Sequence, residues 1–356
     1  MRRTDTAQRG AAIAALLIIP LIALSGCSRA EPETRIRFTA MGTLVEVTIF
    51  GTAEQEAEAV AREVEALFGD LQRRWDPWHD GQLGRINATA GTGQVPEVSI
   101  ELADMLDRAA QISRDSQGLF DPAIGGLIRL WGFQDGDNPP TEPPSATEIE
   151  RALDDSRPFT ELWDGRDRSL RLPAGTAIDL GGFAKGEAVD LAIELIRARG
   201  ITDAIVNAGG DLRAIGRHGD RNWRIGIRDP RDQDVLAAIE VAGDESVFTS
   251  GDYERYFIYD ERRYHHILDP RDGQPSRGTV SVTVLHTEAA LADAAATALF
   301  VAGPQQWEET ARLLGLDRVM LIADSGTIYL TPEMEKRVRL REAAASAVVV
   351  RSLESH

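Results

Sequence analysis

The sequence predicts an α+β fold built as one unit. Segments with helical periodicity, 54–73 and 100–116, come early, a succession of short strand-like segments fills 204–285, and helices return before a last strand pair. The chain of 356 residues suffices for two ordinary domains or one large one, and 43% hydrophobic residues supply a substantial core. No internal repeat or trustworthy linker divides it.

The chain begins with Arg2, Arg3 and Arg9 ahead of an apolar run at 11–24, short for a membrane span. Small residues close the run in Leu24-Ser25-Gly26-Cys27. A basic segment, an apolar stretch and small residues describe a secretory signal, so 1–26 reads as a signal peptide. The LSGC ending resembles a bacterial lipobox, in which Cys27 is lipidated and becomes the mature N-terminus. Ser28 follows where aspartate does not, which by the same resemblance favours the outer membrane over the inner one. Cys27 is the one cysteine of the chain, so no intrachain disulfide forms. Residues 27–35 then read as the lipidated cysteine and a polar tether, 36–334 as the catalytic domain, and 335–356 as an unassigned, partly basic tail.

Within the domain, 36–50 reads as strand structure broken near Met41-Gly42-Thr43. A helix at 54–73 carries Val60, Val64, Leu67, Phe68 and Leu71 on one face and ends at Trp75-Asp76-Pro77-Trp78. Residues 79–97 read as a glycine-rich loop, and 100–116 as a second amphipathic helix. The Gly118–Pro122 loop precedes the compact RLWGF stretch. Residues 134–147 are an exposed excursion with four prolines, a short helix starts at 149–153, and strands are predicted at 160–163 and 168–172. Later strands are read at 204–207, 222–228, 235–241, 246–249, 254–259 and 279–285. Helices follow at 288–301 and 304–314, then strands at 318–323 and 327–330.

The stretch 176–190, TAIDLGGFAKGEAVD, organises the rest. It reads as a strand with Ala177, Ile178 and Leu180, a turn at Gly181-Gly182, and a helix carrying Val189, Ala192, Leu195 and Ile196. A glycine turn into a helix N-terminus offers free N–H groups and the positive end of the dipole. Lys185 in that first turn suits an anion such as phosphate; the alternative is an ordinary strand–turn–helix with a solvated lysine. The formal net charge of −18 argues against general nucleic-acid binding and means that a phosphate ligand needs local cations.

Asp293 and Thr297 are four apart on a helix, so their oxygens share a face, an arrangement that suits a hard cation such as Mg²⁺. The alternative is a threonine bonded back to its helix beside a solvated aspartate. His265-His266 stands at a strand end before a glycine turn, where either histidine can serve as a general base or neither does. Trp78, after a proline in a polar loop, is a core plug or a stacking platform.

Together these stretches resemble the ApbE-type flavin transferases (FAD:protein FMN transferases). The matching motifs are Met41-Gly-Thr43; Leu83-Gly-Arg-Ile-Asn87; Gly118-Leu-Phe-Asp-Pro122 with Trp131-Gly-Phe133; Asp179-Leu-Gly-Gly-Phe-Ala-Lys-Gly186; Val206-Asn-Ala-Gly-Gly-Asp211; Trp223 to Pro230; Thr249-Ser-Gly-Asp-Tyr-Glu-Arg255; His266-Ile-Leu-Asp-Pro-Arg271; and Ala292-Asp293 through Thr297. They stand in family order over about residues 37 to 330.

The resemblance implies a T-fold-like catalytic domain of mixed sheets packed with helices, binding FAD as substrate. Such enzymes cleave its pyrophosphate and attach FMN to a threonine or serine hydroxyl of a partner protein, releasing AMP with Mg²⁺ present. It implies that Asp179 and Lys185 contact FAD, and that Met41, Trp78, Leu119, Phe120, Asp121 and Ile267 line its pocket. The Gly182 carbonyl, Asp293 and Thr297 would hold Mg²⁺, and His266 would be the base. The acceptor would be a periplasm-facing subunit of a membrane redox complex, and the enzyme a lipid-anchored membrane protein facing the periplasm. Trp78 stands where several relatives have tyrosine, and Gly182 where alanine is frequent. Two other outcomes fit the same sequence: a Mg²⁺-dependent FAD pyrophosphatase, and a flavin-binding lipoprotein without chemistry.

Overall fold

β1 (Glu33–Ala40) and β2 (Thr43–Phe50) pair antiparallel through the two-residue turn Met41-Gly42, in which both residues have positive φ, 51° and 72°. That is the turn geometry whose twist matches a hairpin. The Met41 N–H donates to Gln72 Oε1 at 2.7 Å, which holds the turn against the first helix. β1 takes in residues 33–35, which the sequence reading gave to the tether. The computed structural model describes residues 32–135, 140–232 and 234–353. The predicted signal peptide and Cys27 lie outside the described residues, as do 136–139 of the proline-rich excursion.

Helices follow: α1 (Glu54–Trp75), α2 (Gln82–Asn87), α3 (Ile100–Asp115), α4 (Gly125–Leu130), α5 (Ala146–Asp155) and α6 (Phe159–Leu162). α1 buries Val60, Val64, Phe68 and Leu71, four of the five residues its periodicity selects. α3 is capped by the Ser99 side chain, and α5 by a reciprocal Ser145–Glu148 box. The pair β3 (Trp163–Asp164) and β4 (Ser169–Leu170) is two residues long on each side. Two expectations are corrected here. Residues 82–87 form a helix inside the predicted loop, and 159–162 are helical where a strand was expected.

Then come α7 (Ala184–Ala198), β5 (Ala204–Ala208), β6 (Asp211–Gly216), β7 (Trp223–Arg228), β8 (Val235–Val241), β9 (Gly243–Gly251), β10 (Tyr256–Tyr259), β11 (Arg262–His265) and β12 (Thr279–His286). α8 (Ala289–Leu313) is bent at Gly303, whose φ of 70° and ψ of 177° separate two helices in front of Pro304, as the sequence reading expects. β13 (Val319–Ala323), β14 (Ile328–Leu330), α9 (Pro332–Arg337), β15 (Val338–Leu340), a 3-10 turn (Glu342–Ala347) and β16 (Val348–Val350) complete the order. Within the stretch that the sequence leaves unassigned, β15 pairs with β8 and β16 with β14, so these two strands belong to the fold.

Among the described residues one sheet has nine strands, in the order β1-β2-β5-β6-β9-β12-β13-β14-β16, antiparallel except for its last pair. β13 shows why it is buried on both faces. Val319, Leu321 and Ala323 join the core beneath α1, α3, α7 and α8, while Met320 and Ile322 join a second core under the small sheet β15-β8-β7. The result is helices, large sheet and small sheet in layers. Among the described residues no helix is long and apolar enough to cross a membrane.

The 176–180 segment is extended but is not a strand of a sheet; its sole bridge joins Ala177 to Ile124. Its backbone partners are the Gly125 N–H, which donates to the Ala177 carbonyl at 3.0 Å, and the Pro122 carbonyl, which accepts the Asp179 N–H at 2.8 Å; between them the side-chain amide of Asn87 donates to the Ile178 carbonyl at 2.9 Å and accepts from the Ile178 N–H at 2.7 Å. Apolar alternation marks burial of an extended segment and cannot say whether its partner is a backbone or an amide.

Candidate functional site

The registers bring the β1–β2 turn, the β5–β6 turn, the end of β9 and the start of β12 to one end of the large sheet. Gly209 has a φ of 73°, and its N–H donates to the Leu44 carbonyl at 3.0 Å, so the two turns lie against each other. Asp211 starts β6 just beyond. One of its carboxylate oxygens accepts the Thr249 N–H at 2.8 Å, and the other pairs with Lys185 Nζ from the first turn of α7.

Asp293 faces the same point from α8. Its Oδ2 accepts the Gly186 N–H at 3.0 Å, and its Oδ1 lies 3.8 Å from Lys185 Nζ. Burial raises the Asp293 carboxyl to about 6, against the pull of Lys185 and with the help of the Asp211 charge. Burial alone would lower the Lys185 ammonium, but Asp211 and Asp293 outweigh it and raise the group. The cation that the sequence reading reserved for an anion is thus met by two carboxylates.

Thr297 lies one turn along α8, its hydroxyl donating back to the Asp293 carbonyl at 3.3 Å and standing 3.4 Å from Ser250 Oγ. A Cβ at Gly182 would lie 3.0 Å from that hydroxyl and 3.6 Å from the Phe120 ring. Gly182 therefore lies against Thr297, and Asp293 stands one helical turn before Thr297 on α8. The donor set is one carboxylate with neutral hydroxyl and carbonyl oxygens, which fits a hard cation that takes few protein ligands. Among the described residues no three His, Cys, Asp or Glu side chains cluster as metal ligands.

The two histidines have different surroundings. His265 is buried; its Nε2 meets the Ser276 carbonyl at 3.0 Å and its ring stands edge-on to Phe300. His266 is half-buried. Its Nδ1 lies 3.2 Å from the Arg255 carbonyl, so Nδ1 carries the proton and Nε2 keeps its lone pair. Crowding by protein first, then the Arg255 charge, hold its pKa well below 6.5, so the ring is neutral at ordinary pH.

Residues 41–320 match the ApbE family. The chain belongs to that family. A Rhodobacter capsulatus protein named FAD:protein FMN transferase is 38% identical over 349 residues, which are 97% of this chain and 66% of that protein. A Klebsiella pneumoniae protein of the same name is 31% identical over 326 residues, covering 87% of this chain and 92% of the relative. Among solved structures, the ApbE protein of Thermotoga maritima superposes with a TM-score of 0.78 at 32% identity, covering 86% of this chain and all of that one. The flavin transferase ApbE of Vibrio cholerae gives 0.75 at 26%, covering 86% and 99%.

The other residues carried over from the ApbE motifs differ in placement. Asp179 is half-buried; its Oδ1 accepts the Gly181 N–H at 2.7 Å, fixing the glycine turn, and burial raises its pKa against that bond and the Arg255 charge. Trp78 is neither a core plug nor fully free: it is half-buried, and the Arg129 guanidinium lies over its ring at 5.2 Å. Asn87 also donates to the Pro77 carbonyl at 3.1 Å, tying the Trp78 loop to the 176–180 segment. Met41 is half-buried at the hairpin tip, and Ile267 is buried beside His266.

Leu119 and Phe120 both belong to the core, and Phe120 also borders Gly182 and packs 6.4 Å from Phe183. Asp121 Oδ1 is taken up by the N–H groups of Ala123 and Phe159, at 2.9 and 3.1 Å. Asp211, Ser250 and Arg255 went unassigned in the sequence reading. All three sit in motifs it quotes; only the pairing partners of Lys185, Thr297 and His266 give them roles.

Proposed function

We propose that this ApbE-family protein is an FAD:protein FMN transferase that moves FMN from FAD to a threonine or serine hydroxyl of an acceptor protein. The observation that carries the reading is the meeting of Lys185, Asp293, Thr297 and Gly182 at one end of the sheet, with a half-buried, neutral histidine whose Nε2 is free on a neighbouring strand end. Names of relatives over most of the chain support it.

Lys185 keeps its charge next to where negative charge must be offset, and Asp211 holds the ammonium in place. The Arg255 carbonyl fixes the His266 ring, so Nε2 takes the proton of the attacking hydroxyl. The new bond joins that oxygen to the FMN phosphorus, the pyrophosphate P–O bond breaks, and AMP leaves with the bridging oxygen. The proton passes from His266 to AMP or to water, and the ring returns to its neutral form. Asp293, Thr297 and the Gly182 carbonyl would hold Mg²⁺, which when bound supplies positive charge to pyrophosphate oxygens. His266 is not sealed from solvent, so water in place of the hydroxyl gives FMN and AMP as a side reaction. We further propose that Cys27 is lipidated and anchors the enzyme at a membrane facing the periplasm.

The test is mass spectrometry of a candidate acceptor incubated with FAD, Mg²⁺ and the protein. Covalent FMN on the acceptor with one AMP released per FMN is the expected result. FMN and AMP without an adduct would make the protein a pyrophosphatase, and unchanged FAD would make it a binding protein.

A further inference from the structure

We infer that the outer edge of β10 is the docking strip for the acceptor polypeptide, which adds to it as an extra strand and delivers its hydroxyl residue to His266. The inference rests on the transfer reading above, since only a protein acceptor needs a docking surface.

β10 and β11 form a hairpin closed by Asp260-Glu261, both at positive φ, 48° and 60°, with Tyr259 opposite Arg262. The His266 N–H donates to the Arg255 carbonyl at 3.1 Å, so Arg255 and His266 form a hydrogen-bonded pair one step beyond the hairpin. Pairs alternate in an antiparallel ladder. The pairs Phe257–Tyr264 and Tyr259–Arg262 are therefore also bonded inward, and Tyr256 and Ile258 aim their N–H and C=O groups outward from the edge. Among the described residues no strand pairs with that edge.

Proteins blunt such edges with lysine, proline, bulges or covering segments, or by keeping them short, as the four residues of β10 are. β10, YFIY, has no lysine, proline or register shift, and its outward residues are apolar and exposed: Tyr256 at 42% and Ile258 at 55%. The Arg263 guanidinium lies 4.1 Å from the Tyr256 ring centroid on the same face, making an aromatic–cationic strip in a chain of net charge −18. β-Strand addition uses such an edge, with backbone bonds giving affinity and side chains giving selectivity.

The occupant is the acceptor because the strip runs into the site. A strand paired along β10 and leaving past Tyr256 arrives at the level of the Arg255–His266 pair within one residue, about 3.3 Å. It then stands two strand spacings from β11, roughly 10 Å. An extended chain covers that in about three residues. The modified residue therefore lies just outside the paired segment, not within it.

The test compares wild type, Ile258→Pro and Ile258→Lys, with FAD, Mg²⁺ and a pool of random dodecapeptides that share one fixed threonine. Ile258→Pro removes an outward N–H while sparing the inward ladder bonds, and Ile258→Lys keeps the backbone and adds a charge at the edge. Peptide-bound FMN reports transfer, and free FMN with AMP reports the integrity of the site. Each variant should label peptides about tenfold more slowly at low peptide concentration, the worth of a lost backbone bond and a clash, with hydrolysis unchanged. Slowed hydrogen exchange at the Tyr256 and Ile258 amides on adding peptide supports the same conclusion. Equal labelling by all three proteins would overturn it, as would a parallel fall of both reactions, which would make the hairpin a support of the site. Wild type that cleaves FAD but labels no peptide would also overturn strand addition while leaving the site chemistry standing. Wild type that leaves FAD whole contradicts the transfer reading itself.

Discussion

Truncating the adjacent histidines one at a time separates chemistry from packing. His266→Ala removes a half-buried ring and its Nδ1 bond, but the Arg255 carbonyl keeps the His266 backbone N–H at 3.1 Å, so stability changes little. The rate loses its base, a contribution typically of about 10²–10⁴-fold. His265→Ala removes a buried ring packed 5.4 Å from Phe300 and strips the Ser276 carbonyl of its donor. A cavity of aromatic size and an orphaned buried acceptor together cost about 3–5 kcal/mol. The assay is initial FMN transfer at saturating FAD and acceptor, set beside urea unfolding of the same proteins. The pH dependence follows from direction alone: a depressed His266 pKa keeps the ring neutral through the usual histidine range, and the base form is lost only as pH falls through that lowered value. The wild-type rate should then be flat from about pH 7 upward and fall in acid. Slow transfer by His265→Ala with normal transfer by His266→Ala would refute the reasoning, and so would a rate that climbs between about pH 6 and 8.

Burial raises Asp121 from 3.8 to about 6, so the folded state binds a proton that the unfolded chain has lost. Stability falls as pH rises through that window and the full penalty, about 3 kcal/mol, is present above about 6; Asp121→Asn, which keeps the Oδ1 acceptor, should raise the urea midpoint at pH 8 but not at pH 4, and an equal midpoint at both would exclude a buried ionised Asp121. Asp190 caps the start of α8 through the Ala289 and Ala290 N–H groups, both at 3.0 Å, and pairs with the nearly buried Arg213; Asp190→Ala should cost about 3–5 kcal/mol in urea unfolding, and a cost below about 1 would show that Asp244 suffices for Arg213. Cys27→Ser should leave the protein unprocessed or release it from the membrane on fractionation; a variant processed normally and still membrane-bound would contradict the lipid anchor.

Long amphipathic segments were legible in the sequence because their burial is periodic: α1, α3 and the two parts of α8 stand within two or three residues of expectation. What escaped was structure whose partner lies far along the chain. Residues 176–180 have the composition of a strand, yet their partners are the 122–125 backbone and, for Ile178, the Asn87 amide 91 residues away. The two-residue pair β3–β4 and the four-residue α6 are too short to show a period. β16 depends on β14 for its place, which the tail's own composition does not announce. At the site, Asp293, Thr297 and Lys185 could be singled out from spacing and charge. Asp211 could not be paired with Lys185, because that contact spans 26 residues and two secondary-structure elements.

The central claim is that the Asp293 point holds a divalent cation used in transfer. Asp293 is the one carboxylate of the proposed ligand set, and Mg²⁺ settles on a carboxylate with substrate phosphates. The most direct measurement is FMN transfer against Mg²⁺ concentration for wild type, Asp293→Asn and Thr297→Ala. Wild type should saturate with Mg²⁺ and stop in EDTA, Thr297→Ala should need more Mg²⁺ because water can replace its hydroxyl, and Asp293→Asn should stay inactive at every concentration reached. Full transfer by Asp293→Asn at ordinary Mg²⁺, or by wild type in EDTA, would contradict the account.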